Sequence, residues 1–388
     1  MNFIAEFRQK HIRFALSQLK SIQALRAIAA ISVMFAHLYG VEKNHAEVNP
    51  LLSPLALSGM AGVDLFFVIS GFIIVWVAGD WTPGKRSSAS FLYARVTRIY
   101  PTWWLFAGAL ALYLYVTQGV PWDPTVIGEE SLTGTEHLIK SLLLIPHETL
   151  PVLQLGWTLI HEMYFYVVFA GLLLLPAAWR LPAMGVWTAL LITAIFAGWS
   201  THHAENLTAL VFSPMTLEFL MGAAVGWVLK AGWTKYAMPA LLAGIAGTVF
   251  AILSVDFLAE GVDLPLTRTL YFGPAASLIV YGVVALELQA KAARWAHPIL
   301  VHIGDWSYSL YLGHLIVIAG LGRLYFPVFG SYGLIASLGF LVLASLAAIS
   351  VAAVAYYLFA RPSIRALRRW RPSHRSTGAS EGSRAPAE

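Results

Sequence analysis

Ten stretches of about 20 predominantly apolar residues run through this chain, each long enough to cross a ~30 Å hydrocarbon layer as a helix. They lie at roughly 22–40, 56–79, 101–118, 158–176, 183–200, 207–229, 237–254, 267–286, 302–322 and 331–360. In lipid every backbone N–H and C=O must find its partner within the chain, so stretches of this length and number lead to a helical bundle. Composition agrees: of 388 residues, 58% are hydrophobic and 12% charged, whereas an ordinary soluble domain is about a quarter charged. That is too little polar surface to cover a soluble core of this size. A soluble enzyme, a nucleic-acid-binding module and a disordered chain are therefore excluded, and no nucleic-acid partner is expected. The chain has no cysteine, which removes disulfides, thiolate metal sites and cysteine nucleophiles. The expected fold is an all-α polytopic membrane protein with about ten transmembrane helices.

Charge decides the orientation. If residues 1–20 are cytoplasmic and the spans alternate, the inner segments and the tail hold twenty Lys and Arg, and the outer loops hold four: Lys43, Lys140, Arg268 and Arg323. Arg26 falls within the first span. Loops rich in Lys and Arg stay on the cytoplasmic side, so both termini are expected there. Residues 1–20 show no small-residue cleavage site after an apolar run. Phe3, Phe7, Phe14 and Leu16 alternate with Arg8, Lys10 and Arg13, which suits an amphipathic helix on the inner leaflet. Residues 21–360 form the transmembrane domain. Residues 361–388 form a basic, disordered cytoplasmic tail whose arginines contact anionic lipid. The longest stretch between spans, 119–157, contains a short apolar piece, His137–Pro146, too short to cross and therefore re-entrant or interfacial. No internal repeat is visible, which weighs against a repeat-built transporter.

An ionisable side chain inside a span costs several kcal/mol and is a functional candidate by default. Here these are Arg26, His37, Asp64, Glu162, Glu218 and His314, with Asp305 at the start of a span. At ~1.5 Å per helical residue, His37, Asp64, Glu162 and His314 fall in the outer half or centre of the bilayer. Arg26, Arg95 and Arg98 fall nearer the cytoplasm. A basic inner vestibule suits a phosphorylated cytoplasmic ligand, because guanidinium groups match phosphate oxygens. A layer of His and carboxylate farther out suits removal of a proton from a hydroxyl, with His37 as the base. Asp64 either orients His37 or neutralises Arg26 or another buried cation. Glu218 reads as a helix–helix contact, and Asp305 as a helix cap. His202-His203 with Glu205 is the one imaginable metal cluster. Adjacent histidines point to different sides of a helix, so no metal site is assigned. The rival function for such a pattern is a proton-coupled transporter or exporter of a sugar or lipid-linked substrate.

Five blocks narrow the choice. They are Leu25-Arg26-Ala27-Ile28-Ala29-Ala30 with His37 ten residues beyond Arg26; Gly62 to Phe72 around Asp64; Arg95-Val96-Thr97-Arg98-Ile99-Tyr100-Pro101; Trp157-Thr158-Leu159 with Glu162 to Tyr166; and Ser307 to Leu312 with His314. In this order they resemble the membrane acyltransferase-3 family, in particular its exopolysaccharide-production and nodulation-factor O-acetyltransferases, over roughly residues 20–360. The resemblance implies transfer of an acetyl or short acyl group from cytoplasmic acyl-CoA to a carbohydrate hydroxyl. The acceptor would be an exopolysaccharide, a lipopolysaccharide or a lipid-linked sugar. It implies Arg26 and His37 as the essential pair and acyl-CoA contacts at Arg95 and Arg98. It also implies a multi-pass protein of the bacterial inner membrane, working beside polysaccharide biosynthesis machinery. Acetyl-CoA is then a substrate, and no bound cofactor is expected. His37, Asp64 and Glu162 are the expected catalytic residues, a carboxylate serving as the third member of a triad. Arg26, Arg95, Arg98, Tyr166, Tyr311 and His314 are the expected substrate contacts. Direct attack by the sugar and passage through an acyl-imidazole both remain open.

Overall fold

The computed structural model describes residues 19–46, 49–127, 133–199, 206–255, 265–289 and 296–373. The amphipathic segment expected before residue 19, the His202-His203-Glu205 group and the tail beyond residue 373 lie outside the described residues. Those residues are helical, without strands. The α-helices longer than five residues are α1 (Lys20–His45), α2 (Ala61–Ala78), α3 (Lys85–Gln118), α4 (Gly134–Leu143), α5 (Gly156–Leu172), α6 (Ala177–Phe196), α7 (Thr216–Lys230), α8 (Ala237–Ser254), α9 (Pro265–Leu288), α10 (Pro298–Phe329), α11 (Leu334–Ala355) and α12 (Arg361–Arg368). Among the described residues, nine helical segments are long and apolar enough to cross a membrane.

The exception is the expected span at 158–176. Its helix, α5, has 17 residues, a length of about 26 Å, and it starts inside the bundle. Near its start, Thr158 bonds the Tyr311 hydroxyl, and Tyr311 lies thirteen residues into α10, about 20 Å above that helix's first residue. Its end lies beside the start of α3, where Gly84 N–H donates to Leu173 O. The other part of this crossing is α4. The C-terminal end of α4 is tied to mid-α3 by Tyr100 Oη to Leu143 O at 2.8 Å and Trp104 Nε1 to Leu142 O at 2.9 Å. The short apolar piece at His137–Pro146 is thus the re-entrant element, and α4 and α5 together take the place of one full helix.

Lipid offers helices no hydrophobic drive to associate, so close backbone approach carries the packing. A Cβ on Gly71 would run into the Phe219 carbonyl, and one on Gly222 into the Val68 carbonyl, which locks α2 to α7. Gly304 meets the Gln23 carbonyl in the same way and seats α10 on α1.

Both described ends lie at one end of the bundle. The backbone N–H groups of Lys20 and Ser21 are capped by Glu287 at the end of α9. Tyr93, near the start of α3, donates to Leu367 O. Arg371 donates to Ser90 and lies over the Trp81 ring. Residues 361–373, expected within an unstructured tail, therefore contain a helix and contacts that hold it against α3. The same end has the Lys230–Asp80 ion pair at 2.6 Å and Arg180 bonding the Gly79 and Trp81 carbonyls. It is the basic end that the charge pattern assigns to the cytoplasm.

Candidate functional site

The inner layer is a cavity of ≈ 90 Å³ between α1, α2, α3, α5 and α10. Arg26, Arg95 and Arg98 all line it. Arg95 and Arg98 are three residues apart on α3 and so share a face. Arg26 donates to Gln23 Oε1 at 3.1 Å. The Arg95 guanidinium sits over the rings of Phe91 and Tyr166, 5.3 and 5.5 Å from their centroids, and its Nε is buried with no hydrogen-bond partner. One carboxylate lines the same cavity as these three cations. Glu162 accepts from Ser70 Oγ at 2.9 Å and from the Tyr166 hydroxyl one turn along α5. A second cavity of ≈ 110 Å³ shares Arg26, Arg98 and Tyr308 with the first. It continues past Asp305 to Ala360 and Ile364, toward the basic end. A π-helical turn, Tyr356–Ala360, borders it. The two cavities lie in succession from that end of the bundle toward its centre, and the deeper one holds three arginines and one carboxylate.

Glu162 was expected in the outer layer with His37. It lies with the arginines, because α5 begins at mid-depth and carries Glu162 farther inward than a helix starting at the outer surface would.

The outer layer is a histidine pair. His37 lies seventeen residues along α1 and His314 sixteen along α10, about 25 Å from their inner starts. Their rings meet edge-on with centroids 4.9 Å apart. His314 Nδ1 bonds Leu310 O at 2.9 Å, and His37 Nδ1 bonds Val33 O at 2.9 Å. A carbonyl only accepts, so both Nδ1 atoms carry the proton. His314 Nε2, 3.2 Å from His37 Nδ1, is then an acceptor for the same N–H. This network assigns His37 the tautomer with a free Nε2 lone pair, the form a general base needs. His314 is fully buried, and His37 is partly exposed.

Neither expected carboxylate bonds His37. Glu162 is engaged as above, and Asp64 is held elsewhere. The Asp64 Oδ2 atom lies 2.6 Å from Arg268 Nη2, with a second contact at 3.3 Å from Nε to Oδ1, and Arg268 also donates to Met60 O. Both side chains are almost fully buried. Of the two roles left open for Asp64, orienting His37 or neutralising a cation, the geometry supports the second, with Arg268 as the cation. Glu218, also fully buried, lies within electrostatic reach of this pair. Arg268 was counted as an outer-loop residue but stands in the first turn of α9. The available signal was Asp64 itself, a carboxylate in a span that requires a cation at matching depth. His314, expected to contact substrate, lies against the His37 ring.

Tyr311 stands between the layers. Its ring centroid is 6.0 Å from that of Phe66 and 6.1 Å from that of His314, and its hydroxyl is 2.9 Å from Thr158 Oγ1. Phe66 and Tyr311 line the arginine cavity, and His37 and His314 do not. Among the described residues, no group of three or more His, Asp or Glu is arranged to hold a metal ion.

Comparison with known proteins adds identity to this geometry. The family model of the acyltransferase-3 acyltransferase domain matches residues 19–359. The exopolysaccharide production protein ExoZ of Rhizobium meliloti is 36% identical over 274 residues, covering 68% of this chain and 78% of its own. The acyltransferase MdmB of Streptomyces mycarofaciens is 27% identical, covering 92% of this chain and 94% of its own. The peptidoglycan O-acetyltransferase OatA of Listeria monocytogenes is 23% identical over 79% of this chain and 50% of its own length. No solved structure matches. With a family model spanning nearly all its length and a multi-pass helical bundle beneath it, this chain belongs to the acyltransferase-3 family of membrane acyltransferases.

Proposed function

We propose that this protein moves an acetyl or short acyl group from cytoplasmic acyl-CoA to a hydroxyl of a carbohydrate acceptor, with His37 as the general base. The observation that carries the reading is the stacking of two chemically distinct layers. Three guanidinium groups, Arg26 buried and Arg98 open to the surface, line a cavity with the Glu162 carboxylate, and a second cavity extends from it toward the basic face. A histidine of fixed tautomer lies about 16 Å farther along the same helix that bears Arg26. Arg26, Arg95 and Arg98 would take the phosphates of the donor, since charge-assisted bonds to phosphate relieve the excess charge. Tyr166 and Glu162 hold the walls of that pocket. The pantetheine arm spans the gap toward the outer layer.

His37 Nε2 takes the proton of the sugar hydroxyl as its oxygen attacks the thioester carbonyl. The carbon–sulfur bond then breaks, and the leaving thiolate receives that proton from His37, giving ester and CoA thiol. His314 accepts from His37 Nδ1–H throughout. It keeps the ring in its reactive tautomer and stabilises the imidazolium, as the third member of a triad does. Residues 21–360 are the transferase unit, with the basic end in the cytoplasm of a bacterial cell and the acceptor approaching from the periplasmic side or from lipid. The acceptor class follows the relatives: one is named for exopolysaccharide production and another for peptidoglycan O-acetylation.

The test is transfer from radiolabelled acetyl-CoA by the purified protein in nanodiscs, with cell-envelope glycan added. Label should pass to glycan with wild type and not with His37→Ala. Near-full activity in His37→Ala would refute the mechanism. Flux of a sugar across vesicles without CoA release would favour a transporter.

A further inference from the structure

The reaction sketched above has a hazard. An acceptor hydroxyl must reach His37, and a water molecule, being smaller, can take the same path. A thioester lying against this base would be hydrolysed: water would attack the carbonyl, the carbon–sulfur bond would break, His37 would carry the proton to the thiolate, and free acid and CoA thiol would leave. The structure keeps the two apart. Phe66 and Tyr311 line the arginine cavity, while His37 and His314 lie beyond its wall.

We propose that Tyr311, latched by Thr158 and backed by Phe66, is a partition that holds the bound acyl thioester away from His37 until an acceptor engages, so that it sets the balance between transfer and hydrolysis. The proposal rests on the acyl-CoA reading.

The latch is a three-membered cluster. The Thr158 and Tyr311 hydroxyls lie 2.9 Å apart, and both reach the Leu155 carbonyl, Thr158 Oγ1 at 2.9 Å and Tyr311 Oη at 3.4 Å. Both side chains are buried, with 5% and 6% of their surface exposed. Thr158 stands in the first turn of α5, the helix that starts at mid-depth, and this places a hydroxyl at the level of the partition. Tyr311 and His314 are three residues apart on α10 and share a face, so a swing of the Tyr311 ring opens the path beside the ring that supports the base. Opening breaks the bond to Thr158 and the longer one to Leu155 O; the Thr158 bond alone is worth up to about 1.4 kcal/mol, a factor of about ten in the open population.

The experiment measures CoA thiol release from acetyl-CoA by the full chain in nanodiscs, with and without cell-envelope glycan, for wild type, Thr158→Val, Tyr311→Phe and Thr158→Ser. Thr158→Val keeps the side-chain shape and removes the hydroxyl that bonds Tyr311. Tyr311→Phe keeps the ring and removes the donor. Both should raise acceptor-independent release three- to tenfold relative to acceptor-dependent release, and Thr158→Ser should restore the wild-type ratio. Adding His37→Ala to Thr158→Val should abolish the extra release. A merely structural role would lower both activities together without changing their ratio. An unchanged ratio in Thr158→Val and Tyr311→Phe, in proteins that melt like wild type, overturns the partition while leaving the acyl-CoA reading intact. Absence of any CoA release from wild type, with glycan present or absent, overturns both.

Discussion

The buried Asp64–Arg268 pair yields a prediction with opposite signs for single and double substitutions. In wild type the carboxylate and guanidinium meet at 2.6 Å, both nearly free of solvent, with Glu218 buried alongside. Arg268→Met leaves two carboxylates in the bundle without their cation. Breaking a buried pair from one side costs about 3–5 kcal/mol, the range expected for this variant. Asp64→Asn leaves the cation with Glu218 still within reach, so it should cost less, about 1–3 kcal/mol. The double variant Asp64→Asn/Arg268→Met removes both charges and should recover most of the loss, giving a coupling of at least ~2 kcal/mol. A double-mutant cycle from equilibrium unfolding in detergent micelles reads all three. Strict additivity of the single losses would refute the pairing. Activity supplies a second check, because Asp64 is held by Arg268 and does not touch His37. Folded Asp64→Asn should therefore retain transfer within a few-fold of wild type, and abolished transfer in that folded variant would place Asp64 in the chemistry after all.

Two further predictions follow from the same geometry. His314→Phe keeps a ring in the pocket but removes the side-chain acceptor for His37 Nδ1–H and leaves Val33 O as the other, so kcat should fall about tenfold or more with KM for the acyl donor unchanged; a change confined to KM would show that His314 contacts donor instead. Gly71→Ala and Gly222→Ala each drive a methyl into a carbonyl of the facing helix and should cost about 1–3 kcal/mol in thermal unfolding. Gly108→Ala, where a Cβ meets nothing within 4 Å, should be neutral or slightly stabilising, and equal effects at all three positions would contradict the close approach.

Hydropathy and charge made the bundle legible, because span length and loop charge are local properties. Counting residues at ~1.5 Å each also placed Arg26, Arg95 and Arg98 together near the basic end, and His37 level with His314. The same count misplaced Glu162, since hydropathy does not distinguish a span that starts at the membrane surface from one that starts at mid-depth behind a re-entrant helix. The partners of the buried groups were not legible either. Asp64 meets Arg268 across 204 positions of sequence, and His37 meets His314 across 277. Depth can be counted along one helix, but which way each helix turns its side chains is set by packing against the others. Arg268 was hidden for a simpler reason: it is the second residue of the span expected at 267–286 and was counted with the adjoining outer loop.

The central claim is a division of labour, in which arginines hold the donor and a histidine does the chemistry. It is tested most directly by measuring acetyl-CoA affinity and single-turnover transfer for wild type, Arg95→Gln and His37→Ala. One lost charge-assisted bond is worth about 1.5–3 kcal/mol, so Arg95→Gln should bind donor about 10- to 100-fold more weakly and still transfer once saturated. His37→Ala should bind like wild type and transfer nothing. Unchanged donor affinity in Arg95→Gln, or transfer by His37→Ala, would contradict the account.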